Sequence, residues 1–297
     1  SFAVVAATVS SASGPDLRGR RDTALISAVA SDLDGTLLRP DHTVSDFTRE
    51  QLARVVRSGR GLVFVTGRPP RWMPPVIAET GHSGTAVCAN GAVVLDVAAE
   101  RIIGHSLLRA AELAAVCDVI RTEMGPDVRF AVEVAPLGPL TGSRLIHEEG
   151  FAAVAMMALD AAPLTDVLAA QSAVKLLARG SGPVADTGPI AARVIAATGD
   201  AVTVSHSSRT HQLLEVAPPG VTKASTLADL ALERGWDPAH VVAFGDMPND
   251  IPLLTWAGHG VAVASADPAV LEVAGEVVAD PQHDGVAHWL AEHIPAG

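Results

Sequence analysis

The chain has 297 residues, of which 48% are hydrophobic, and a formal net charge of −12. This composition excludes a disordered chain and predicts a large core in two lobes, since single cores tend to split beyond roughly 250 residues. The acidic charge argues against nucleic acid as a partner. No apolar run approaches the roughly 20 residues that cross a bilayer, so membrane association is not expected.

The first residues do not predict a secretory signal. Residues 2–8 are apolar, but the basic residues of this region follow them, whereas a signal has its basic residues first. We therefore expect a cytoplasmic protein, with residues 1–23 as an N-terminal extension. Cys88 and Cys117 have no metal-binding or redox spacing and are expected to be buried thiols.

The first part of the chain predicts alternating strands and helices. Apolar residues recur at helical spacing before Gly59, which is a suitable helix end. A continuous apolar run typical of a buried parallel strand then ends at Thr66-Gly67-Arg68-Pro69-Pro70, which cannot continue a strand. The predicted elements are a strand over 25–30, a helix over 45–58 and strands over 61–66 and 85–89.

Residues 92–218 are less regular and predict an inserted α+β cap domain. Clusters of Pro and Gly at Pro136–Gly142 and Gly180–Gly188 indicate loops. The predicted elements here are strands over 92–97, 127–134 and 173–178, and helices over 110–123 and 185–197.

A regular α/β alternation returns after the cap. We therefore assign residues 24–91 and 219–297 to one discontinuous core domain with a Rossmann-like parallel sheet. The predicted elements are helices over 225–234, 249–257, 268–274 and 285–293, and strands over 240–244, 260–264 and 276–278.

Two acidic segments directly follow predicted strands. Asp32 and Asp34 follow the first strand, and Asp246 and Asp250 follow the strand over 240–244. Ligands of open α/β sheets bind at the carboxyl ends of strands, so the four carboxylates are expected to converge. Each like-charged pair near 4 Å costs on the order of 4 kcal/mol at an effective dielectric of 20, so the cluster needs a cation. Oxygen-only ligands predict Mg²⁺, although Asp-Leu-Asp-Gly alone is equally typical of a surface turn.

Donors for a phosphoryl group complete the predicted site. Thr66 offers a hydroxyl and the backbone amides that follow it, and Lys223 offers an ammonium at the start of a helix. The chain has only one other lysine, Lys175. Because arginine fills the other basic positions, a retained lysine indicates a place where a compact point charge matters.

With these motifs the sequence resembles the haloacid dehalogenase (HAD) superfamily of phosphohydrolases, in its Cof-type branch with a large α/β cap of the C2, or type IIB, kind. The resemblance covers about residues 26–294. One departure is Ala224, since the branch usually has Gly after the lysine. The residues that carry the resemblance are Asp32 and Asp34, Thr66 and Gly67, Lys223, and Asp246, Asn249 and Asp250, with support from Asn90-Gly91-Ala92 and Asp284-Gly285-Val286-Ala287.

The resemblance implies a Mg²⁺-dependent phosphomonoester hydrolase in which Asp32 forms an aspartyl-phosphate. Asp34 would be the general acid and base. Mg²⁺ would be bound by the side chains of Asp32 and Asp246 and the backbone carbonyl of Asp34. Phosphate would be bound by Thr66, Lys223, Asn249 and the amides of Leu33 and Gly67, with Asp250 orienting Lys223 or a metal-bound water.

Several alternatives stay open. Sugar phosphates are the first substrates that the resemblance implies, and phosphorylated cofactors such as flavin mononucleotide or pyridoxal phosphate come next. A phosphosugar mutase or other phosphotransferase would use the same intermediate, and a degenerate member would bind a phosphorylated ligand without turnover. A receiver-like signalling domain would be far shorter. Cap residues that could face a substrate are Arg129, Arg144, His147, Glu148, His206, Arg209 and His211.

Overall fold

The computed structural model describes residues 26–151, 159–206 and 211–295. The strands are β1 (Ala28–Ser31), β2 (Gly61–Val65), β3 (Thr85–Cys88), β4 (Val93–Asp96), β5 (Arg101–His105), β6 (Arg129–Val134), β7 (Gly138–Pro139), β8 (Arg144–His147), β9 (Leu159–Ala161), β10 (Ala173–Arg179), β11 (Thr203–Ser205), β12 (Leu213–Ala217), β13 (Val241–Gly245), β14 (His259–Val263) and β15 (Glu276–Val278). The α-helices are α1 (Asp46–Arg57), α2 (Met73–Thr80), α3 (Ala110–Met124), α4 (Leu164–Leu168), α5 (Thr187–Thr198), α6 (Lys223–Arg234), α7 (Ile251–Trp256), α8 (Pro268–Val273) and α9 (Gly285–His293).

The larger sheet has the strand order β15-β14-β13-β1-β2-β3-β4-β5-β7. Strands β1 to β3 and β13 to β15 run parallel, and β4, β5 and β7 extend the sheet with antiparallel pairs. The strand order reverses between β1 and β13, which is the switch point where open α/β sheets bind ligands. This architecture confirms the predicted α/β core with a parallel sheet.

Both faces of the central parallel strands β1, β2, β3, β13 and β14 are buried, as parallel strands require. Val29 of β1 packs with Phe64 and Phe244 in a hydrophobic cluster that also includes α1, α2 and α9. Ala28 and Ala30 point to the opposite face and join a cluster with α6, α7 and α8. The alternation along β1 therefore separates the two helix layers that cover this sheet.

The second sheet has the order β11-β12-β10-β6-β8-β9 and forms the cap. Helices α3 and α5 cover one of its faces through an apolar cluster that includes Val132, Leu176 and Val216. The neighbouring residues on the same three strands are Glu133, Lys175 and Glu215. Because side chains alternate along a strand, these charged residues lie on the opposite face, towards the larger sheet.

The predicted elements mostly agree with the observed ones to within about two residues, because periodicity and turn residues are local signals. Helix α2 was not predicted, and neither were α4 and the strands β5, β8, β9, β11 and β12. In α2, Pro74 lies in the first turn, where proline fits a helix. Strand β7 lies inside the loop predicted over Pro136–Gly142. Strands β4 and β5 come after residue 92 but continue the larger sheet. The division into core and cap domains at residue 92 stays a prediction. The predicted extension, residues 1–23, lies outside the described residues.

Both cysteines match their expected character. Cys88 and Cys117 are buried and form no disulfide, and burial raises the pKa of the Cys117 thiol to about 12. Across the described ranges, no helix combines the length and apolar character needed to cross a membrane.

Candidate active site

Asp32 lies at the carboxyl end of β1, beside the end of β13. The adjacent Ser31 is in register with Phe244, and the Asp32 N–H donates to the Phe244 carbonyl over 3.0 Å. Asp32 is only 5% exposed. Burial raises the pKa of its carboxyl well above the ordinary range, and the nearby carboxylates of Asp250 and Asp246 raise it further, while Lys223 offsets part of this effect.

Lys223 joins two of the acidic residues. Its Nζ donates to Asp32 Oδ1 over 2.8 Å and to Asp250 Oδ1 over 2.7 Å. Burial alone would lower the pKa of Lys223, but the two carboxylates outweigh burial and raise it, so the amine stays protonated. Lys223 begins α6, where Thr222 and Ser225 form a capping box that fixes the start of the helix.

Asp246 is held by the first acidic segment. The Thr36 hydroxyl donates to Asp246 Oδ1 over 3.0 Å. Gly35 has a φ of +81°, and a Cβ at this position would lie 2.4 Å from Asp246 Oδ2. Glycine is therefore needed both for the backbone conformation and for the close approach of the carboxylate.

Asp250 is fully buried and has hydrogen bonds at both carboxylate oxygens. Oδ1 accepts from Lys223, and Oδ2 accepts from the N–H groups of Asp246 and Met247, each over 3.1 Å. These contacts shape the loop after β13 and fix the position of the lysine. They are compatible with the orienting role that the sequence predicts for Asp250.

The acidic cluster fits a divalent cation. One carboxylate oxygen from each of Asp32, Asp246 and Asp250 lies within 4.8 Å of the others. At an effective dielectric of 20, a like-charged pair at this separation costs about 3.5 kcal/mol, and a single ammonium does not balance three carboxylates. The donors are all hard oxygen atoms, which Mg²⁺ prefers. Both carboxylate oxygens of Asp250 already accept hydrogen bonds.

Asp34 does not join this cluster, which corrects the expectation that all four carboxylates converge. Its side chain is 47% exposed and accepts two hydrogen bonds from the Arg68 guanidinium. Arg68 Nε donates to Oδ2 over 2.6 Å, and one terminal nitrogen of Arg68 donates to Oδ1. His42 Nδ1 lies 3.5 Å from the same carboxylate. The ion pair with Arg68 therefore turns Asp34 towards the surface, while Asp32 stays buried.

Thr66 lies at the end of β2 and is 1% exposed. The Arg68 N–H donates to Thr66 Oγ1 over 3.0 Å, which leaves the hydrogen of the hydroxyl for another acceptor. The loop packs on residues 89–91, because Ala89 and Asn90 donate backbone hydrogen bonds to the carbonyls of Arg68 and Thr66. Ala89 and Asn90 both have positive φ, so this contact holds a strained segment.

The predicted backbone donors are available for an anion. Within the described residues, the N–H groups of Leu33 and Gly67 donate no hydrogen bond. Asn249 donates through Nδ2 to Asn90 Oδ1 over 3.1 Å, and its amide nitrogen keeps one further hydrogen. Leu33, Thr66, Gly67, Lys223 and Asn249 thus lie on the loops that follow β1, β2 and β13 and at the start of α6.

A cavity of about 360 Å³ opens beside Lys223 and Asn249. Much of its wall is apolar and comes from α5 and β11, including Ala191, Ile195 and Val204. Of the cap residues predicted to face a substrate, His206 lines this cavity. Arg209 lies outside the described residues, and the remaining candidates are not among the lining residues, namely Arg129, Arg144, His147, Glu148 and His211.

Four other residues near the site were not assigned a role from the sequence. Arg68 binds Asp34, Asn90 contacts Asn249, and Lys175 and Glu215 reach the same loops from the second sheet. For Lys175, the rarity of lysine in the chain was a usable signal. Glu215 had no comparable signal, because its role depends on how the two sheets pack.

Comparison with known proteins agrees with this site. A family model described as haloacid dehalogenase-like hydrolase matches residues 29–290. The chain therefore belongs to this family. It is 26% identical to the pyridoxal phosphate phosphatase YbhA of Escherichia coli K12, covering 90% of this chain and 98% of that protein. It is 29% identical to an HMP-PP phosphatase of Serratia proteamaculans, covering 88% and 93%.

The solved structures show the same fold. The HAD subclass IIB sugar phosphatase BT4131 matches with a TM-score of 0.73 and 18% identity, covering 90% of this chain and 98% of that one. Together, the family match, the curated relatives and this fold confirm the predicted class, a HAD-type phosphatase of the Cof-type branch with a type IIB cap.

Proposed function

We propose that the protein is a Mg²⁺-dependent phosphatase that removes phosphate from a small phosphorylated metabolite through an aspartyl-phosphate on Asp32. The observation that carries this proposal is the position of Asp32, a buried carboxylate held by Lys223 beside Asp246. Asp32, Asp246 and the Asp34 carbonyl would hold the cation. When bound, Mg²⁺ offsets the negative charge of the cluster and of the phosphoryl oxygens.

In the first step, a carboxylate oxygen of Asp32 attacks phosphorus. The new oxygen–phosphorus bond forms as the bond from phosphorus to the ester oxygen breaks, and Asp34 gives its proton to the departing oxygen. Charge on the transferring group is stabilised by Lys223, the Thr66 hydroxyl and Asn249. The N–H groups of Leu33 and Gly67, which donate no hydrogen bond in the part of the chain that the structure describes, add neutral donors.

In the second step, water attacks the phosphorus of the aspartyl-phosphate and gives a proton to Asp34. This breaks the bond to Asp32 and releases inorganic phosphate. Asp34 can exchange protons with substrate and water because its carboxylate is half-exposed rather than buried. Its salt bridge to Arg68 must open at the moment of proton transfer, which gives Arg68 influence over this step.

The cavity favours a substrate with a flat apolar body. Ala191, Ile195 and Val204 offer a surface for an aromatic ring, with Lys223 and Asn249 at the phosphate end. A phosphorylated heterocycle such as pyridoxal phosphate is therefore the first candidate, and the named activity of the Escherichia coli relative agrees with it. Sugar phosphates, the first candidates from the sequence, become second and have support from the likeness to BT4131. A cytoplasmic location stays a prediction.

A phosphate-release screen tests this proposal. With Mg²⁺ present, we expect pyridoxal phosphate to be hydrolysed with a higher kcat/KM than sugar phosphates. A chelator should remove the activity. Asp32→Asn should abolish turnover and leave the fold intact. Asp41→Asn is the matched control, since this exposed aspartate bonds only to Thr43 within the described residues. Unchanged turnover in Asp32→Asn would contradict the mechanism, and product formation only with a sugar acceptor would indicate a phosphotransferase.

A further inference from the structure

Three buried charged residues of the second sheet face the loop that carries Thr66. Glu133, Lys175 and Glu215 are 3%, 3% and 6% exposed. Charged side chains this deeply buried are rare unless they have specific partners. Lys175 is one of only two lysines in the chain, and the other, Lys223, is in the active site.

Lys175 contacts the phosphate-binding loop directly. Its Nζ donates to the Gly67 carbonyl over 2.9 Å and forms an ion pair with Glu215 Oε1 at 2.7 Å. The Gly67 carbonyl belongs to the same peptide unit as the Arg68 N–H, which donates to Thr66 Oγ1. This peptide unit is therefore held at both ends. Rotation of the unit would remove the hydrogen bond that directs the Thr66 hydroxyl.

Glu215 extends the contact to the other phosphate-binding loop. Its Oε2 accepts from Asn90 Nδ2 over 2.6 Å, and Asn90 Oδ1 accepts from Asn249 Nδ2 over 3.1 Å. Burial alone would raise the pKa of Glu215, but Lys175 and Asn90 outweigh it and hold the pKa below its ordinary value. The carboxylate therefore stays ionised and can hold both partners.

We propose that Lys175 and Glu215 form a positioning pair for phosphoryl transfer. Lys175 orients the Thr66 hydroxyl through the Gly67–Arg68 peptide, and Glu215 orients Asn249 through Asn90. Neither residue of the pair is assigned a contact with the substrate. This inference rests on the proposed phosphatase function and adds to it, because it gives the cap sheet a direct role in assembling the donors of the core.

The expected kinetic effect follows from the residues that the pair orients. Donors such as Thr66 and Asn249 act mainly on charge that develops in the transition state. A displacement of about 1 Å in such groups can lower the rate by about 100-fold. We therefore expect loss of the pair to lower kcat by about 100-fold and to change KM little.

The decisive variant is Lys175→Met/Glu215→Gln, which removes both charges and so leaves no buried charge without its partner. The matched control is Arg71→Met/Glu133→Gln. Arg71 and Glu133 form a similar buried ion pair between the same two regions, with hydrogen bonds of 2.6 and 3.0 Å, and contact neither Thr66 nor Asn249 among the described hydrogen bonds. Both are compared with the wild type by thermal unfolding and by kcat and KM for p-nitrophenyl phosphate.

Inhibitor binding separates positioning from a purely structural role. Orthovanadate resembles the transition state of phosphoryl transfer, whereas inorganic phosphate resembles the product. We expect the inhibition constant of orthovanadate to rise by about the same factor as kcat/KM falls in Lys175→Met/Glu215→Gln, with a much smaller change for phosphate. In the control, kcat/KM and the inhibition constants of orthovanadate and phosphate should each stay within about threefold of the wild-type values.

Three results would overturn the proposal. Wild-type kcat in a folded Lys175→Met/Glu215→Gln variant, or an equal loss in the control, overturns the positioning role and leaves the phosphatase function intact. Absence of phosphate release by the wild-type protein overturns the proposed function and the positioning role together.

Discussion

Gly35 offers a sharp test of how the two acidic segments fit together. We expect Gly35→Ala to reduce both stability and activity. Its φ of +81° is unfavourable for alanine, and the new Cβ would lie 2.4 Å from Asp246 Oδ2. The substitution therefore combines a backbone penalty with a collision against a proposed ligand of the cation.

The structure sets the size of both effects. A left-handed conformation costs alanine roughly 1–2 kcal/mol. Ordinary contact begins at 3.4 Å, so the Asp246 carboxylate must move by about 1 Å, a displacement that can cost about 100-fold in rate. The same movement weakens the hydrogen bond from Thr36. We expect kcat/KM to fall by about two orders of magnitude.

Gly59→Ala is the matched control. Gly59 has a φ of +77°, but no atom lies within 4 Å of a Cβ built there, so this variant carries the backbone penalty alone. Denaturant unfolding and phosphate release are measured for both variants. Gly59→Ala should lose stability and keep its activity. If Gly35→Ala keeps kcat/KM within about threefold of Gly59→Ala, the tight packing of Gly35 against Asp246 is not needed for catalysis.

Three further predictions concern the metal, pH and the start of α6. Mg²⁺ at 100 times its Kd should stabilise the wild type by about 2.7 kcal/mol in denaturant unfolding. Asp246→Asn should lose this gain, and an equal gain in the variant would exclude Asp246 as a ligand. Burial lowers the pKa of His82 below the ordinary 6.5, so below this pH the unfolded state binds a proton that the folded state resists. Stability should therefore fall as pH drops, and His82→Phe should flatten the fall; a slope equal to that of the wild type would count against this assignment. Thr222→Ala should cost about 1 kcal/mol and lower kcat through Lys223, while Thr222→Ser should restore both.

Local sequence signals predicted much of the fold. The continuous apolar run over Gly61–Val65 and the helical spacing over Asp46–Arg57 identify these elements because burial and turn chemistry act within a few residues. The same reasoning missed helix α2, although Pro74 lies in its first turn, where proline fits a helix. Strand β7 was missed because two residues are too few to carry a periodic pattern.

The sequence by itself determined where the candidate site lies. Asp32, Thr66 and Asp246 could be found because each directly follows a strand, and the carboxyl ends of parallel strands meet at one edge. Lys223 could be added because it is one of only two lysines in the chain and offers an ammonium donor at the start of a predicted helix.

Only the tertiary structure decided how these groups are oriented. It turned Asp34 towards Arg68 and away from the three clustered carboxylates. It also brought Lys175 and Glu215 from the second sheet to the loops of the first. The physical reason is the range of the interactions, because strand ends and turns are set by neighbouring residues, whereas these contacts join segments up to 125 residues apart. They exist only once the two sheets have packed together.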